Sequence, residues 1–352
     1  MKATVERTAL LKSLGHVHRV VEKRNTIPIL SNVLLHAGAG GLRLKATDLD
    51  IEVVETMAAD VAEEGATTVP AHTLYDIVRK LPDGAQVSLE MSGEQGQLLL
   101  RSGRSRFNLQ ALPESDFPDI TAGEMPHRFM LGSGDFRRLI EKTQFAISTE
   151  ETRYYLNGIL FIAEGKTLTL VATDGHRLAM AQSTLDADVP SKQEVILPRK
   201  TVLELQRLLK DEETAIEMRF ASNQAKFSFS GMQFVTKLVE GKFPDYNRVI
   251  PKNHKNIITL GRAPLLACLQ RASILTSEKF KSVRVNVEPG VLRIACSNAE
   301  QEEAKEEIEI DYSGDAIEIG FNITYLIDAL ANMNQEMVRL ELQDSSASAL
   351  FT

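Results

Sequence analysis

One stretch occurs three times in this chain, and that recurrence constrains its fold more than any other feature. LTLVATDGHRLAMA (residues 168–181) stands earlier as LRLKATDLDIEVVE (42–55) and later, more worn, as LRIACSNAEQEEAK (292–305). The central copy alternates Leu168, Leu170 and Ala172 with Thr167, Thr169 and Val171, breaks at Asp174-Gly175, and resumes as a second strand from Arg177. Asp-Gly between apolar runs predicts a tight turn joining two antiparallel strands. Thr47 and Thr173 are 126 positions apart, and Ser297 follows after 124 more. The pairs Val69-Pro70, Leu197-Pro198 and Phe321-Asn322 keep nearly the same period, and FPDI at Phe117 returns as FPDY at Phe243. Separate landmarks on one period predict a triplicated unit.

Each unit is expected to open on an amphipathic helix. Its apolar stripe is Leu10, Leu14, Val17 and Val21 in the first unit, Phe136, Leu139, Ile140 and Ile147 in the second, and Leu266, Leu269 and Ile274 in the third. Strands around the recurrent stretch follow. A second helix comes next, with Leu74, Ile77, Val78 and Leu81 on one face. Pro70 and Pro198 suit a first helical turn, and Asn322 suits an N-cap. Two alternating strands close the unit, at residues 97–101 with 106–110 and at 225–230 with 233–239. The third unit holds only the beginning of this hairpin, at 347–352, so about one strand and a short tail are expected to be absent. Strand runs with two helices on one side predict an α+β fold, divided at 1–125, 126–250 and 251–352.

A formal net charge of −8 argues against indiscriminate nucleic-acid binding, because phosphate affinity comes from clustered Lys and Arg. Distribution matters more than the total. Lys12, His16, Arg19 and Lys23 fall opposite the first apolar stripe, with Arg24 following. Arg137, Arg138 and Lys142 lie off the second stripe, and Lys200, Arg207 and Lys210 lie on the helix after Pro198. Acidic residues gather elsewhere, over 300–309 and 211–213. Such basic helix faces suit a phosphate backbone, although a solvated face is the plainer reading of any one of them. Tyr154 and Tyr155 either cover a core edge or stack on bases.

Asp174-Gly175-His176-Arg177 has the residue types of a metal or acid–base cluster. No second His or Cys stands at ligand spacing, and the first unit has Asp50 where the second has His176. His16 and His18 are two apart and point different ways on a helix. No phosphate-loop, dinucleotide or nucleophile-elbow motif is present. Neither a catalytic centre nor a metal or cofactor site is expected. Cys268 and Cys296 are too few for a disulfide framework and are expected to pack as small apolar side chains. The chain has no run near the ~18 apolar residues of a membrane span and no secretory h-region, so the expectation is a cytoplasmic protein.

The motifs of this chain, taken together, resemble those of the bacterial DNA polymerase III β subunit family, the sliding clamps. The matching stretches are TIPILSNVLL (26–35), ATDLD (46–50), GATTVPA (65–71), LRSGRSRF (100–107), RYYLNG (153–158), VATDGHRLA (171–179), KLVEGKFPDYNRVIPKN (237–253), TSEKF (276–280) and YSGDAIEIGFN (312–322). The resemblance implies three repeated DNA-clamp domains, each with its sheet outside and two helices inside. It implies a head-to-tail homodimer closing a six-domain ring around duplex DNA, with no catalysis of its own. Family DNA contacts carry over onto Arg24, Tyr154 and Tyr155, beside the basic residues Lys12, Arg19, Arg137, Arg138 and Lys200. A peptide-binding pocket carries over onto Leu156, Thr173, Gly175, His176, Arg177, Leu178, Pro244, Arg248, Val249, Asn322 and Tyr325. Its implied users are the replicative polymerase subunit, the clamp loader, translesion polymerases, mismatch-repair proteins and ligase. The dimer contact carries over onto Arg104, Arg106, Phe107 and Leu109 against Ile274, Leu275, Glu302, Glu303 and Glu306. Two departures stand out. Ser346 occupies a position where an apolar residue is common, and the family's closing Met-Pro-Met-Arg-Leu-like run, one wall of the pocket, is not in the sequence. The alternatives are a metal-dependent hydrolase using Asp174 and His176, and a homo-oligomeric peptide scaffold that never meets DNA.

Overall fold

The computed structural model describes residues 1–23, 25–92, 96–120, 123–210 and 213–352. The first repeat runs β1 (Lys2–Glu6), α1 (Arg7–Val17), β2 (Asn32–Gly38), β3 (Gly41–Thr47), β4 (Ile51–Met57), β5 (Asp60–Glu63), β6 (Gly65–Pro70), α2 (Ala71–Lys80), β7 (Gln86–Ser92), β8 (Gln97–Ser102) and β9 (Ser105–Gln110). The second runs β10 (His127–Gly132), α3 (Ser133–Glu141), β11 (Gly158–Thr173), β12 (Leu178–Pro198), α4 (Arg199–Leu208), β13 (Ala215–Phe220), β14 (Gln224–Phe229) and β15 (Met232–Lys237). The third runs β16 (Asn256–Gly261), α5 (Arg262–Ser273), β17 (Ser282–Glu288), β18 (Val291–Ser297), β19 (Glu303–Glu309), β20 (Ile317–Asn322), α6 (Ile323–Ala331), β21 (Met337–Leu342) and β22 (Leu350–Phe351).

Two compact units result. One holds residues 1–140, 158–170 and 182–241, and the other holds 141–157, 171–181 and 242–352. The first contains a five-stranded sheet ordered β5-β1-β7-β8-β9 and an eight-stranded sheet ordered β10-β13-β14-β15-β4-β3-β2-β6. The larger sheet spans two repeats because β15 pairs antiparallel with β4, from Met232 opposite Glu55 to Thr236 opposite Ile51. The second unit contains β16-β21-β22 and β19-β18-β17-β20. Its core is made by Ile258, Leu269, Val283, Ile294, Leu330 and Leu340, among others.

The repeat is visible in individual hydrogen bonds. Thr47 Oγ1 donates to the Ile51 carbonyl (2.7 Å) and accepts from Leu49 N (3.0 Å), while Asp48 Oδ1 accepts from Asp50 N (2.9 Å) and Ile51 N (2.7 Å). Thr173 and Asp174 make the same four bonds to Arg177, Gly175 and His176, at 2.6 to 3.1 Å. The Thr-Asp pair thus supplies side-chain acceptors for a turn whose amides have no strand partner. Leu49 sits at φ +78° where Gly175 sits at +88°, so the first copy carries a left-handed leucine in place of a glycine.

A second shared device closes each helix pair. The first helical residue donates its amide to a carbonyl beyond the second helix: Arg7 to Ala85, Ser133 to Thr214 and Arg262 to Glu336, at 2.8 to 2.9 Å. In the first and third repeats this residue is arginine, and its guanidinium fills the orphan carbonyls at the end of the second helix. Arg7 reaches Val78 O (3.0 Å) and Arg79 O (2.8 Å), and Arg262 reaches Leu330 O (3.1 Å).

The structure departs from the sequence reading at the element ends. A strand precedes each opening helix, and three strands close the first two repeats, the extra one (β7, β13) pairing back to the opening strand. In the third repeat β21 takes this place against β16, and only Leu350–Phe351 of residues 347–352 forms a strand. Val21 and Ile147 are buried but lie beyond the ends of α1 and α3. Leu265 rather than Leu266 is buried in α5, and Ile274 is 79 % exposed. Residues 168–172 are buried without alternation, as expected of a strand covered on both faces. Pro70 and Pro198 are N-caps, one residue before the first turn, and Asn322 caps α6 by accepting from Thr324 N at 3.0 Å. Both cysteines are buried and unpaired.

Replacing Arg7 by Met should take the guanidinium donor from the Arg79 carbonyl, leave Val78 O with Leu81 N alone, and cost about 2 kcal/mol in urea denaturation. Asp83→Ala should cost less than about 1 kcal/mol, because the carboxylate paired with Arg7 is almost wholly exposed.

Candidate DNA and peptide interfaces

The turn after β11 presents Arg177 to a set of acceptors and rings. The guanidinium donates to Asp174 Oδ2 (3.2 Å), to Asp328 Oδ2 on α6 (2.6 Å) and to the Phe145 carbonyl (2.9 Å). It also lies 4.4 Å from the Tyr325 ring centroid and 5.4 Å from that of Phe145. A planar, permanently charged fork suits two carboxylates and two aromatic faces at once. Arg177 is therefore a half-buried pillar against Tyr325. The exposed His176 ring sits 6.3 Å from the Tyr325 ring, inclined at 26°.

The remaining pocket residues separate into distinct roles. Pro244, Arg248 and Val249 are exposed on one turn, where Arg248 pairs with Asp245 (3.0 Å) and Val249 is 61 % exposed. Leu178 is half-buried at the start of β12. Leu156, placed in the pocket by the resemblance, is only 3 % exposed, and its carbonyl accepts from Ser148 N at 3.1 Å. Thr173 and Asn322 spend side-chain oxygens on the turn and on the α6 N-cap. A Cβ at Gly175 would come within 2.6 Å of Arg153 Nη1, so glycine here serves both the left-handed φ and a close side-chain approach. An open cleft of about 420 Å³ also borders Asn322, lined by Glu278, Lys279, Lys281, Ser282, Gly320 and Phe321. Asp328 and Phe145 were missed by sequence reasoning. Asp328 stands one turn after Tyr325 on the helix capped by Asn322, a spacing that was available; Phe145 carried no signal.

Asp174, weighed as a hydrolytic residue with His176, is occupied by turn amides and by Arg177. Among the described residues no group of three or more His, Cys, Asp or Glu is placed to share a metal ion. Among them, too, no helix is long and apolar enough to cross a membrane.

The basic residues fall into exposed and engaged groups. Lys12, Arg19 and Lys23 are exposed, although α1 ends at Val17, so a helical wheel through Arg19 and Lys23 does not apply. His16 is drawn off that stripe by Glu55 (2.8 Å). Arg138 is exposed and pairs with Asp135, while Arg137 is half-buried. Lys200 pairs with Asp48 and with Glu22 (3.5 Å). Burial works against its ammonium, but the hydrogen bond and charge of Asp48, with Glu22, raise its pKa above the usual lysine value. Arg207 is bound to Glu204 (2.8 Å) and to the carbonyls of Gly15 and His16 at the end of α1. Tyr154 is exposed and meets Tyr155 edge-on at 5.7 Å. Arg24 lies outside the described residues, as do Asp211 and Glu212.

Two of the strands that end a sheet carry the residues expected at the dimer contact, β9 and β19. On β9, Arg106 is exposed, Phe107 half-buried and Leu109 buried, with Arg104 in the preceding turn. On β19, Glu303 pairs with Lys305 (2.9 Å) and Glu306 with Arg271 (2.7 Å), while in the turn before it Asn298 Oδ1 accepts from Glu302 N at 2.9 Å. The Arg271 hydrogen bonds hold Glu306 below the ordinary carboxylate range. Leu275 packs on the core beside the exposed Ile274.

Family models for the DNA polymerase III β subunit match three successive segments: the N-terminal domain over residues 1–121, the central domain over 130–245 and the C-terminal domain over 247–352. The beta sliding clamp of Caulobacter vibrioides is 44% identical over 354 residues, covering 99% of this chain and 95% of that protein. That of Escherichia coli K12 is 44% identical over 349 residues, covering 99% and 94%. Among solved structures, a DNA polymerase sliding clamp from Pseudomonas aeruginosa with ligand superposes with a TM-score of 0.96 at 41% identity, covering 100% of this chain and 95% of that one. One from Caulobacter crescentus superposes at 0.93 and 43% identity, with the same coverage. The chain therefore belongs to the DNA polymerase III β subunit family, the β sliding clamps, which are non-catalytic processivity factors of DNA replication.

Proposed function

We propose that this chain works in the cytoplasm as a homodimeric ring that encircles duplex DNA and tethers the replicative polymerase by topology. The observation that carries this reading is the opposite charge of two sheet-end strands, β9 with Arg104 and Arg106, and β19 with its run of glutamates. Unlike patches on one chain associate head to tail, and such contacts close into rings when the rotation permits. Phe107, Leu109, Ile274 and Leu275 supply apolar surface, with Glu302, Glu303 and Glu306 facing the arginines across the joint. Domain boundaries at 1–125, 126–250 and 251–352 fit this arrangement, each repeat contributing one helix pair to the inner surface.

DNA contact is assigned to Lys12, Arg19, Arg24, Arg137, Arg138, Tyr154 and Tyr155. Lys200 joins them only when its carboxylate partners release it. A clamp must slide, so its cations need to be loose and separated from phosphate by water. The surface around His176, Tyr325, Leu178, Pro244, Arg248 and Val249 is assigned to short peptides of the polymerase, clamp loader, translesion polymerases, mismatch-repair proteins and ligase. Its mixture of exposed apolar groups and polar tips suits an extended segment anchored by one or two apolar side chains.

Three measurements test these assignments. Ile274→Ala with Leu275→Ala should yield folded monomers by sedimentation; a fully dimeric double variant would disprove this joint. Loaded protein should persist on closed circular DNA and leave linear DNA quickly at the same salt, whereas equal loss from both would indicate an ordinary binding protein. Replacing the anchoring Leu of a polymerase-derived peptide by Ala should remove about 2 kcal/mol, or roughly 30-fold in affinity by calorimetry. Unchanged affinity would remove the apolar anchor from the assignment.

A further inference from the structure

The segment leaving α1 carries the exposed Arg19 and Lys23, and only a few backbone bonds hold it: His18 N to Leu14 O (2.9 Å), Val20 N to Val17 O (3.3 Å) and Val21 N to His18 O (3.2 Å). Two rings of α2 pack on it, and Lys200 of α4 pairs with its Glu22 at 3.5 Å. His18, 8 % exposed, lies flat on Tyr75 with centroids 3.9 Å apart and planes inclined by 8°. Its Nδ1–H donates to the Leu14 carbonyl at 2.7 Å. His72 meets His18 edge-on at 5.4 Å and donates from Nε2 to the Val21 carbonyl at 2.9 Å. Val20 and Val21 are buried between the exposed cations.

The charges around this stack favour a neutral ring. From α4, Arg207 reaches the Gly15 and His16 carbonyls; from α2, Arg79 lies 5.7 Å from the Tyr75 ring; and Arg19 follows in the chain. The carboxylates of the same elements are engaged elsewhere: Glu55 by His16, Glu204 by Arg207, Asp76 by Arg79 and Glu22 by Lys200. Burial pushes the His18 pKa below the ordinary imidazole value, against the pull of the Leu14 carbonyl, and the charges of His72, Arg19 and Arg207 add to the depression.

We propose that His18 is a positioning residue for DNA: unprotonated and stacked on Tyr75, it holds residues 18–23 so that Arg19 and Lys23 are presented together, and a proton on His18 releases them. This rests on the reading that the basic face meets DNA. The sign follows from the lowered pKa. The stack is intact above the ordinary imidazole value of about 6.5 and is lost as pH falls through the lower folded-state value. Acidification alone adds positive charge and tightens DNA binding; release of the segment does the opposite, which separates the two effects.

The test lowers the pH in steps from about 7.5 until circular dichroism shows the global fold is lost, with two readouts on the full chain. One is hydrogen exchange at the Val20 and Val21 amides, corrected for intrinsic chemistry. The other is the salt dependence of duplex binding. In the unmodified protein, acid should remove the protection and lower the slope of log affinity against log salt by about two, one for each released cation. His18→Phe keeps a ring on Tyr75 but takes no proton, so exchange protection should stay constant with pH and the slope should not fall. If that variant does not fold, His18→Gln serves, with both readouts fixed at the released level. Protection that ignores pH, or that responds equally in the His18 variant, overturns the proposal. Arg19→Ala should lower the slope by about one at the higher pH. An unchanged slope there, with the exchange response intact, would remove the DNA premise and with it the positioning role, while leaving the histidine switch itself measured.

Discussion

Backbone hydrogen bonding at sheet edges is the constraint on which this protein depends. An antiparallel sheet with an unpaired edge offers donors and acceptors to whatever approaches. Within the chain the problem is solved once, where β15 lies against β4 and two repeats become one eight-stranded sheet. Ion pairs reinforce that join, Lys237 with Asp50 at 3.3 Å and Lys200 with Asp48. Among the strands that still end a sheet, β9 carries exposed arginines at its start and β19 a run of glutamates, and charge of this kind discourages indiscriminate strand pairing.

The same economy governs the candidate peptide surface. Four of its residues, Thr173, Gly175, Arg177 and Asn322, are committed to holding backbone or rings in place. Around them lie the exposed His176, Pro244, Arg248 and Val249 and the half-buried Tyr325. A surface built this way needs little ordering when a ligand arrives, because Arg177 already fixes Tyr325 from one side through Asp328 and from the other through Phe145. The basic faces are arranged differently. Several cations that look free on a helical projection are paired with nearby carboxylates, while Lys12 on α1 and Arg19 and Lys23 beyond its end are exposed.

Much of the architecture was readable from residues alone. The period of the repeats, the Thr-Asp turn, the second helices and the Asn322 cap depend on neighbours within a few positions, where local hydrogen bonding and apolar spacing decide the outcome. Helix ends were less readable. Val21 and Ile147 continue an apolar pattern past the end of the helix, because burial is required there while helical backbone is not. Ile274 continued a stripe in the sequence yet lies exposed in the chain, because a stripe records apolar character and not what covers it.

The sequence by itself determined that this is a triplicated α+β chain of the sliding-clamp family, with the residues of two surfaces in recognisable motifs. Only the tertiary structure decided what those residues are engaged in. Arg177 finds Asp328 151 positions away, Arg207 caps the carbonyls of Gly15 and His16, and His18 stacks on Tyr75 from another helix. The physical reason is that a charged or aromatic side chain takes its partners from whatever the packed backbone brings within a few ångströms. That choice has no periodicity, so no spacing in the chain announces it.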